Sequence, residues 1–142
     1  MECFRKDLYQ TANIFPIGWV AVGSSEYFDL VRNCGTVIQP TCTAGQAGSV
    51  VVCMGNGLIP VVTKEAGIDT DDFGVSLPSI NAEEIGKAVD WISSQTASWH
   101  EDTSRKVLRV ARQDFSEAAF GKRFREILIA VTRDKTLDSV GR

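Results

Sequence analysis

The residues whose types and spacing point most clearly to chemistry lie at 35–63, GTVIQPTCTAGQAGSVVVCMGNGLIPVVT. Residues 35–40 are a short apolar run ending at Pro40. Residues 41–48 are small and polar, with glycines at 45 and 48. Ser49 is placed to cap a helix over 50–54, Gly55 and Gly57 are placed to end it, and 58–62 is a second strand of buried type. Strand, glycine-bearing loop, short helix and strand, in that order, set unpaired backbone N–H groups and the positive end of a helix dipole at the carboxyl end of a parallel strand. Such a place suits an anionic ligand, for example a diphosphate.

Other reactive side chains are scattered. His100 follows Trp99 in a polar stretch with no nucleophile motif beside it, so a surface histidine is preferred to a general base. Asp69, Asp71 and Asp72 read as a solvated turn before they read as a magnesium site. The four cysteines (Cys3, Cys34, Cys42 and Cys53) have no CxxC or Cys/His spacing and one histidine between them, which speaks against zinc. Cys42 and Cys53 flank the glycine-bearing loop without a cluster of basic residues to activate them, and small buried fillers are expected. Glu65 is the carboxylate nearest the loop ends. A ligand contact and a plain surface role both fit it.

The elements that must position this loop read as an α/β fold. A helix tail covers 2–9, and a strand broken by Pro16 and Gly18 has its regular part at 17–22. Ser25 is a candidate cap for a helix through Tyr27, Leu30 and Val31. After the central strand–helix–strand unit comes a short strand at 73–77, closed by Pro78. Asn81 and Glu84 then fit a capping box for a helix over 81–95. A second helix is predicted at 103–114, and Ser116 caps a third, with Phe115 and Phe120 placed as a hydrophobic staple. Phe120, Phe124, Ile127, Leu128 and Val131 form its apolar stripe. Residues 132–142 are polar and expected to fray. This gives a partial Rossmann-like parallel sheet of about four strands, with helices packed around it and a helical carboxyl-terminal segment. Residues 1–80 are the core, 81–134 the carboxyl-terminal helices of the same domain, and 135–142 a polar tail.

The 142 residues are 44% hydrophobic and 23% charged, with a formal net charge of −3, which fits one soluble domain. The basic residues at 105–125 alternate with acids at helical spacing, so a solvated helix face is preferred to a nucleic-acid patch. Residues 1–10 are charged and unlike a signal peptide, and the longest apolar runs are far short of the roughly 18 residues that span a bilayer. The reading is a cytoplasmic protein with at most peripheral membrane contact and no nucleic-acid partner.

Taken as an ordered series, NIFPIGW (13–19), QPTCTAGQAGSVVVCMGNG (39–57), 58–63, EAGID (65–69), 72–77, the 81–95 helix and the Phe115–Ser116 helix start resemble the carboxyl-terminal, donor-binding half of retaining glycosyltransferases of the GT-B fold, most closely the family-4 group. The resemblance implies a nucleotide diphosphate sugar as donor ligand, with no cofactor and no metal. It places backbone amides of Gly45, Gln46, Ala47 and Gly48 against sugar and phosphates, Ser49 and Val50 at a helix start facing the diphosphate, and the loop around Gly18, Trp19 and Val20 near the base.

The acidic pair of that family, E-x7-E, falls on Ala44 and Val52, neither of which accepts a side-chain hydrogen bond. Loss of one charge-assisted bond costs about 1.5–3 kcal/mol, or roughly one to two decades in rate or affinity. The family's basic phosphate contacts and its acceptor-binding half match nothing in this chain, which begins inside a helix and reads as cut at its amino end. The resemblance therefore implies a donor-binding part that is inactive alone. The alternative is a non-catalytic nucleotide-sugar-binding or docking module. Marginal stability, self-association or pairing with a separate acceptor-binding half is expected. A flavodoxin-like regulatory domain fits less well, because neither strand end, Pro40 or Thr63, offers an acidic phosphoacceptor.

Overall fold

The computed structural model describes residues 4–43 and 45–138, with side chains through Arg133. The chain forms two compact units that divide between Asn33 and Cys34.

The first unit holds two short helices. Helix α1 (Arg5–Gln10) has no buried residue. Helix α2 (Ser25–Arg32) is capped by Ser24, whose hydroxyl accepts the Tyr27 N–H at 3.1 Å. The cap therefore lies one residue before Ser25, because Ser24 has the extended backbone that a cap needs. The strand expected at 17–22 does not form. Gly18 takes φ +80°, Gly23 takes φ +85°, and the Ser24 N–H closes a turn on the Ala21 carbonyl. A residue in left-handed conformation interrupts the pleat, so the apolar letters there do not suffice for a strand. Val31 is the one buried hydrophobic residue described in this unit.

The second unit is α/β. Strands β1 (Thr36–Gln39), β2 (Ile59–Thr63) and β3 (Val75–Leu77) form a parallel sheet in the order β1-β2-β3, with Thr36 opposite Ile59 and Val61 opposite Val75. The described sheet thus has three strands, against about four expected. Every residue of β2 is buried, as befits a central parallel strand covered on both faces. Neighbouring residues of β2 point to opposite faces. Val62 joins a cluster with Val50 and Met54 of α3 (Gly48–Met54) and with Val107 and Ala111 of α5 (Ala97–Asp114). Val61 joins Leu77 and the Ala88 and Ile92 side chains of α4 (Ala82–Ser93). Helices therefore sandwich the sheet.

The caps explain the helix bounds. Asn81 Oδ1 accepts the Glu84 N–H at 2.8 Å, as the capping box predicts. Thr96 accepts the Trp99 N–H, which starts α5 six residues before the expected 103. Ser116 accepts the Ala119 N–H and opens α6 (Glu117–Asp138). Backbone helix continues through the first residues of the expected polar tail, to Asp138. Among the described residues, no helix is long and apolar enough to cross a membrane.

Candidate functional site

The loop from Pro40 to Ala47 joins the carboxyl end of β1 to α3, and two sets of bonds fix it against the end of β2. Thr63, 2% exposed, donates its hydroxyl to the Thr41 carbonyl at 2.6 Å and accepts the Thr41 N–H at 3.2 Å. This reciprocal pair places the ends of β1 and β2 side by side, as parallel strands require. Further along, the Ala47 N–H donates to the Ala66 carbonyl at 2.9 Å. Ala66 belongs to a 3-10 turn, Lys64–Ala66, that leaves β2 and ends at Gly67 with φ +67°. A Cβ on Gly67 would overlap the Gly45 carbonyl oxygen and lie 3.3 Å from Gln46 Cα. Glycine at 67 thus permits two backbones to approach directly, which holds Gly45 and Gln46 in place.

At the start of α3, the sequence-predicted ligand residues separate by what their amides already do. The Ala47 amide is committed to Ala66, and the buried Val50 amide donates to the Ala47 carbonyl at 3.0 Å. The amides of Gly48 and Ser49 have no acceptor among the described residues, and both residues are exposed. These are the first-turn donors that every helix leaves without an internal partner. The cap is Ala47, whose methyl makes no side-chain bond. Contrary to the expectation from sequence, Ser49 is not the cap. It lies two residues after the cap, inside the first turn, and its hydroxyl instead donates to Gln39 Oε1 at 2.7 Å, tying the helix start to the end of β1.

Gln46, Gly48 and Val51 form one side of an open groove of about 340 Å³. Its other side comes from the α5–α6 junction: Asp114, Phe115, Ser116 and Glu117, then Phe120 and Arg123. Phe115 packs on the core, while Phe120 is exposed and stacks on Phe124 at 5.8 Å between ring centroids. Arg123 is the cation of this groove, and it is held: Nη2 lies 2.8 Å from Asp114 Oδ1 and Nη1 donates to the Asp114 carbonyl at 3.3 Å. The sequence marks Phe115 and Phe120 as a hydrophobic staple, and Phe120 as part of an apolar stripe, but not as groove residues. The contribution of Asp114 and Arg123 carried no signal, because their nine-residue separation is bridged by the turn between two helices.

The remaining candidates are placed as follows. Glu65 is half-buried in the 3-10 turn, with Lys64 Nζ 3.8 Å from its carboxylate. Its backbone neighbour Ala66, rather than its own carboxylate, holds the loop. Val52 lies on the exposed side of α3, and its carbonyl accepts from Asn56 at 2.9 Å. Ala44 lies outside the described residues. Gly18 and Trp19 belong to the first unit, where Trp19 is 88% exposed. His100 is half-buried rather than a plain surface residue. Its Nε2 lies 3.2 Å from the Ile92 carbonyl and its ring meets Trp99 edge-on, a packing role between α4 and α5. Trp91 likewise packs edge-on against Trp99. Cys34 and Cys42 are exposed thiols and Cys53 is half-buried, so Cys42 is not the buried filler expected. Asp72 bonds to Lys106 Nζ at 2.6 Å, which with that ammonium's charge lowers the carboxyl below its usual range. Among the described residues, no group of three or more His, Cys, Asp or Glu side chains is close enough to hold a metal ion.

No protein-family model matches the sequence, and no curated protein gives a significant match.

Proposed function

We propose that this chain binds the diphosphate of a nucleotide sugar at the loop between β1 and α3, as a Rossmann-like donor-holding unit of the GT-B retaining glycosyltransferase type, and that it does not transfer the sugar by itself. One observation carries the reading. The Gly48 and Ser49 amides stand without acceptors among the described residues, at the carboxyl end of parallel β1, on a loop fixed by Thr63 and Ala66. Ligands of open parallel sheets bind outside the carboxyl ends of their strands, where fixed amides need no reorganisation to meet an anion.

The surroundings set the strength expected. Arg123 is neutralised by Asp114, and Glu117 adds a negative charge to the groove. The amides must therefore carry the anion without a free cation. Two charge-assisted bonds at about 1.5–3 kcal/mol each correspond to dissociation constants around the millimolar range. Phe115 and Phe120 offer apolar surface to a sugar or base beside the phosphates. The sequence supports the absence of turnover, because Ala44 and Val52, neither of which accepts a side-chain hydrogen bond, match the glutamate pair of the family it resembles. Exposed thiols at Cys34 and Cys42 suit a reducing, cytoplasmic compartment.

Calorimetric titration with UDP-, GDP- and ADP-sugars tests this. The expected result is saturable binding of at least one of them with no release of sugar. No binding of any up to about 10 mM, ten times the affinity expected, contradicts the proposal.

A further inference from the structure

Helix α5 gathers more positive charge around Arg109 than its surroundings neutralise. On a helix surface the neighbours of a residue stand three and four positions away. For Arg109 these are Arg105 and Lys106 on one side and Arg112 and Gln113 on the other. Two of the four cations are matched. Arg105 lies 3.2 Å from Glu101 and 2.9 Å from Asp102, and Lys106 Nζ lies 2.6 Å from Asp72. Arg109 and Arg112 make no hydrogen bond and no ion pair among the described residues. Both are exposed, while Thr103, Val107 and Ala111 form the buried side of the helix. Like charges at this spacing destabilise a helix, so the surplus at Arg109 and Arg112 weakens α5 until an anion joins it.

The same residues border a hollow. Arg105, Leu108, Arg109, Arg112 and Gln113 line an open concavity of about 530 Å³, a size that suits a small molecule. We infer that this hollow binds a small soluble phosphate ester, its phosphoryl group clamped between Arg109 and Arg112. Side chains three residues apart on a helix start about 5–6 Å from each other, so both guanidinium groups reach one phosphoryl group. Each planar fork can donate two parallel bonds to its oxygens. A phosphate monoester carries about −1.5 to −2 charge at pH 7, which matches the two unneutralised arginines, whereas a single carboxylate leaves one of them unmatched. Half-buried Leu108 offers apolar surface to the esterified part, and the Gln113 amide offers it a donor and an acceptor. None of these residues borders the groove beside α3, so this site stands independently of the diphosphate reading.

An NMR titration of the full chain with ribose 5-phosphate, following the arginine side-chain Nε–H resonances, tests this. Those of Arg109 and Arg112 are expected to shift saturably, with a dissociation constant of about 1 mM or tighter at low ionic strength. Inorganic phosphate is expected to bind the same pair more weakly, because it leaves Leu108 and Gln113 without contacts. The double variant Arg109→Gln/Arg112→Gln is expected to bind at least about tenfold more weakly. Circular dichroism is expected to show it folded, since both side chains are exposed and their repulsion is removed. Arg109→Lys/Arg112→Lys keeps the charge without the forks and is expected to fall between the two. Absence of saturable shifts at Arg109 and Arg112 up to about 20 mM, well above the affinity expected, overturns the inference. Undiminished binding by the double glutamine variant overturns it too. Equal shifts at Arg125, exposed on α6 outside the hollow, would show charge screening alone and would also overturn it.

Discussion

Gly67→Ala probes how the loop is held more sharply than any change within the loop itself. Gly67 has φ +67°, and an added Cβ would overlap the Gly45 carbonyl and press on Gln46. The left-handed backbone alone costs a residue with a Cβ about 1–2 kcal/mol. Relief of the overlap moves the loop away from the turn and breaks the 2.9 Å bond from Ala47 to Ala66, which adds about 1 kcal/mol. The total is about 2–3 kcal/mol. At about 2.1 cal/mol/K of unfolding entropy per residue, each kcal/mol is worth roughly 3–4 °C for a chain of this size. A fall in Tm of about 6–12 °C is expected, followed by circular dichroism, together with faster amide exchange at 45–48. Gly86→Ala is the matched comparison. It sits on α4 with open space around its Cβ position, and alanine there is expected to stabilise by about 0.5–1 kcal/mol. If Gly67→Ala stays within about 0.5 kcal/mol of the parent and leaves exchange at 45–48 unchanged, the argument that this turn fixes the loop is refuted.

Two further predictions follow from the packing and the charges. Thr63→Val removes both bonds to Thr41 and leaves its N–H and carbonyl unpaired beside a buried methyl. A loss of about 1–3 kcal/mol is expected in urea unfolding, with Thr63→Ser retaining most of the parent stability, and equal effects of the two would contradict this. Asp72, its carboxyl lowered by the bond and charge of Lys106, stabilises the fold above its unfolded pKa near 3.9, and that contribution disappears as pH falls through the lower folded value. Asp72→Asn is therefore expected to be slightly less stable than the parent at pH 7 and equal to it at about pH 2. The difference is small because both side chains are exposed, and the same gap at both pH values would exclude the ion pair as its cause.

Much of the second unit was legible from local signals. Asn81 and Ser116 are caps that act within four residues, so the helices they open were found at the right residue. The alternation of strand, glycine loop and strand likewise located β1, β2 and α3 within one or two positions. The misses have physical causes. Thr96 was passed over as a cap because the polar run after it has no apolar period to announce a helix. Residues 17–22 have the composition of a strand, but pairing is non-local, and the left-handed Gly18 interrupts the pleat. Ser49 has a capping side chain, yet the helix begins one residue earlier, at a position fixed by the Ala47–Ala66 bond from a segment nineteen residues away. The groove was not legible at all, since Gln46 and Arg123 come together only through the packing of α3 beside the α5–α6 junction.

The central claim is that the Gly48 and Ser49 amides receive a diphosphate, and an amide-resolved NMR titration with UDP and with inorganic pyrophosphate tests it most directly. The account predicts that both ligands shift the Gly48 and Ser49 resonances saturably and move those of Ala47 and Val50, whose protons are already engaged, much less. Shifts confined to other residues, or none at these two amides at saturating ligand, would contradict it.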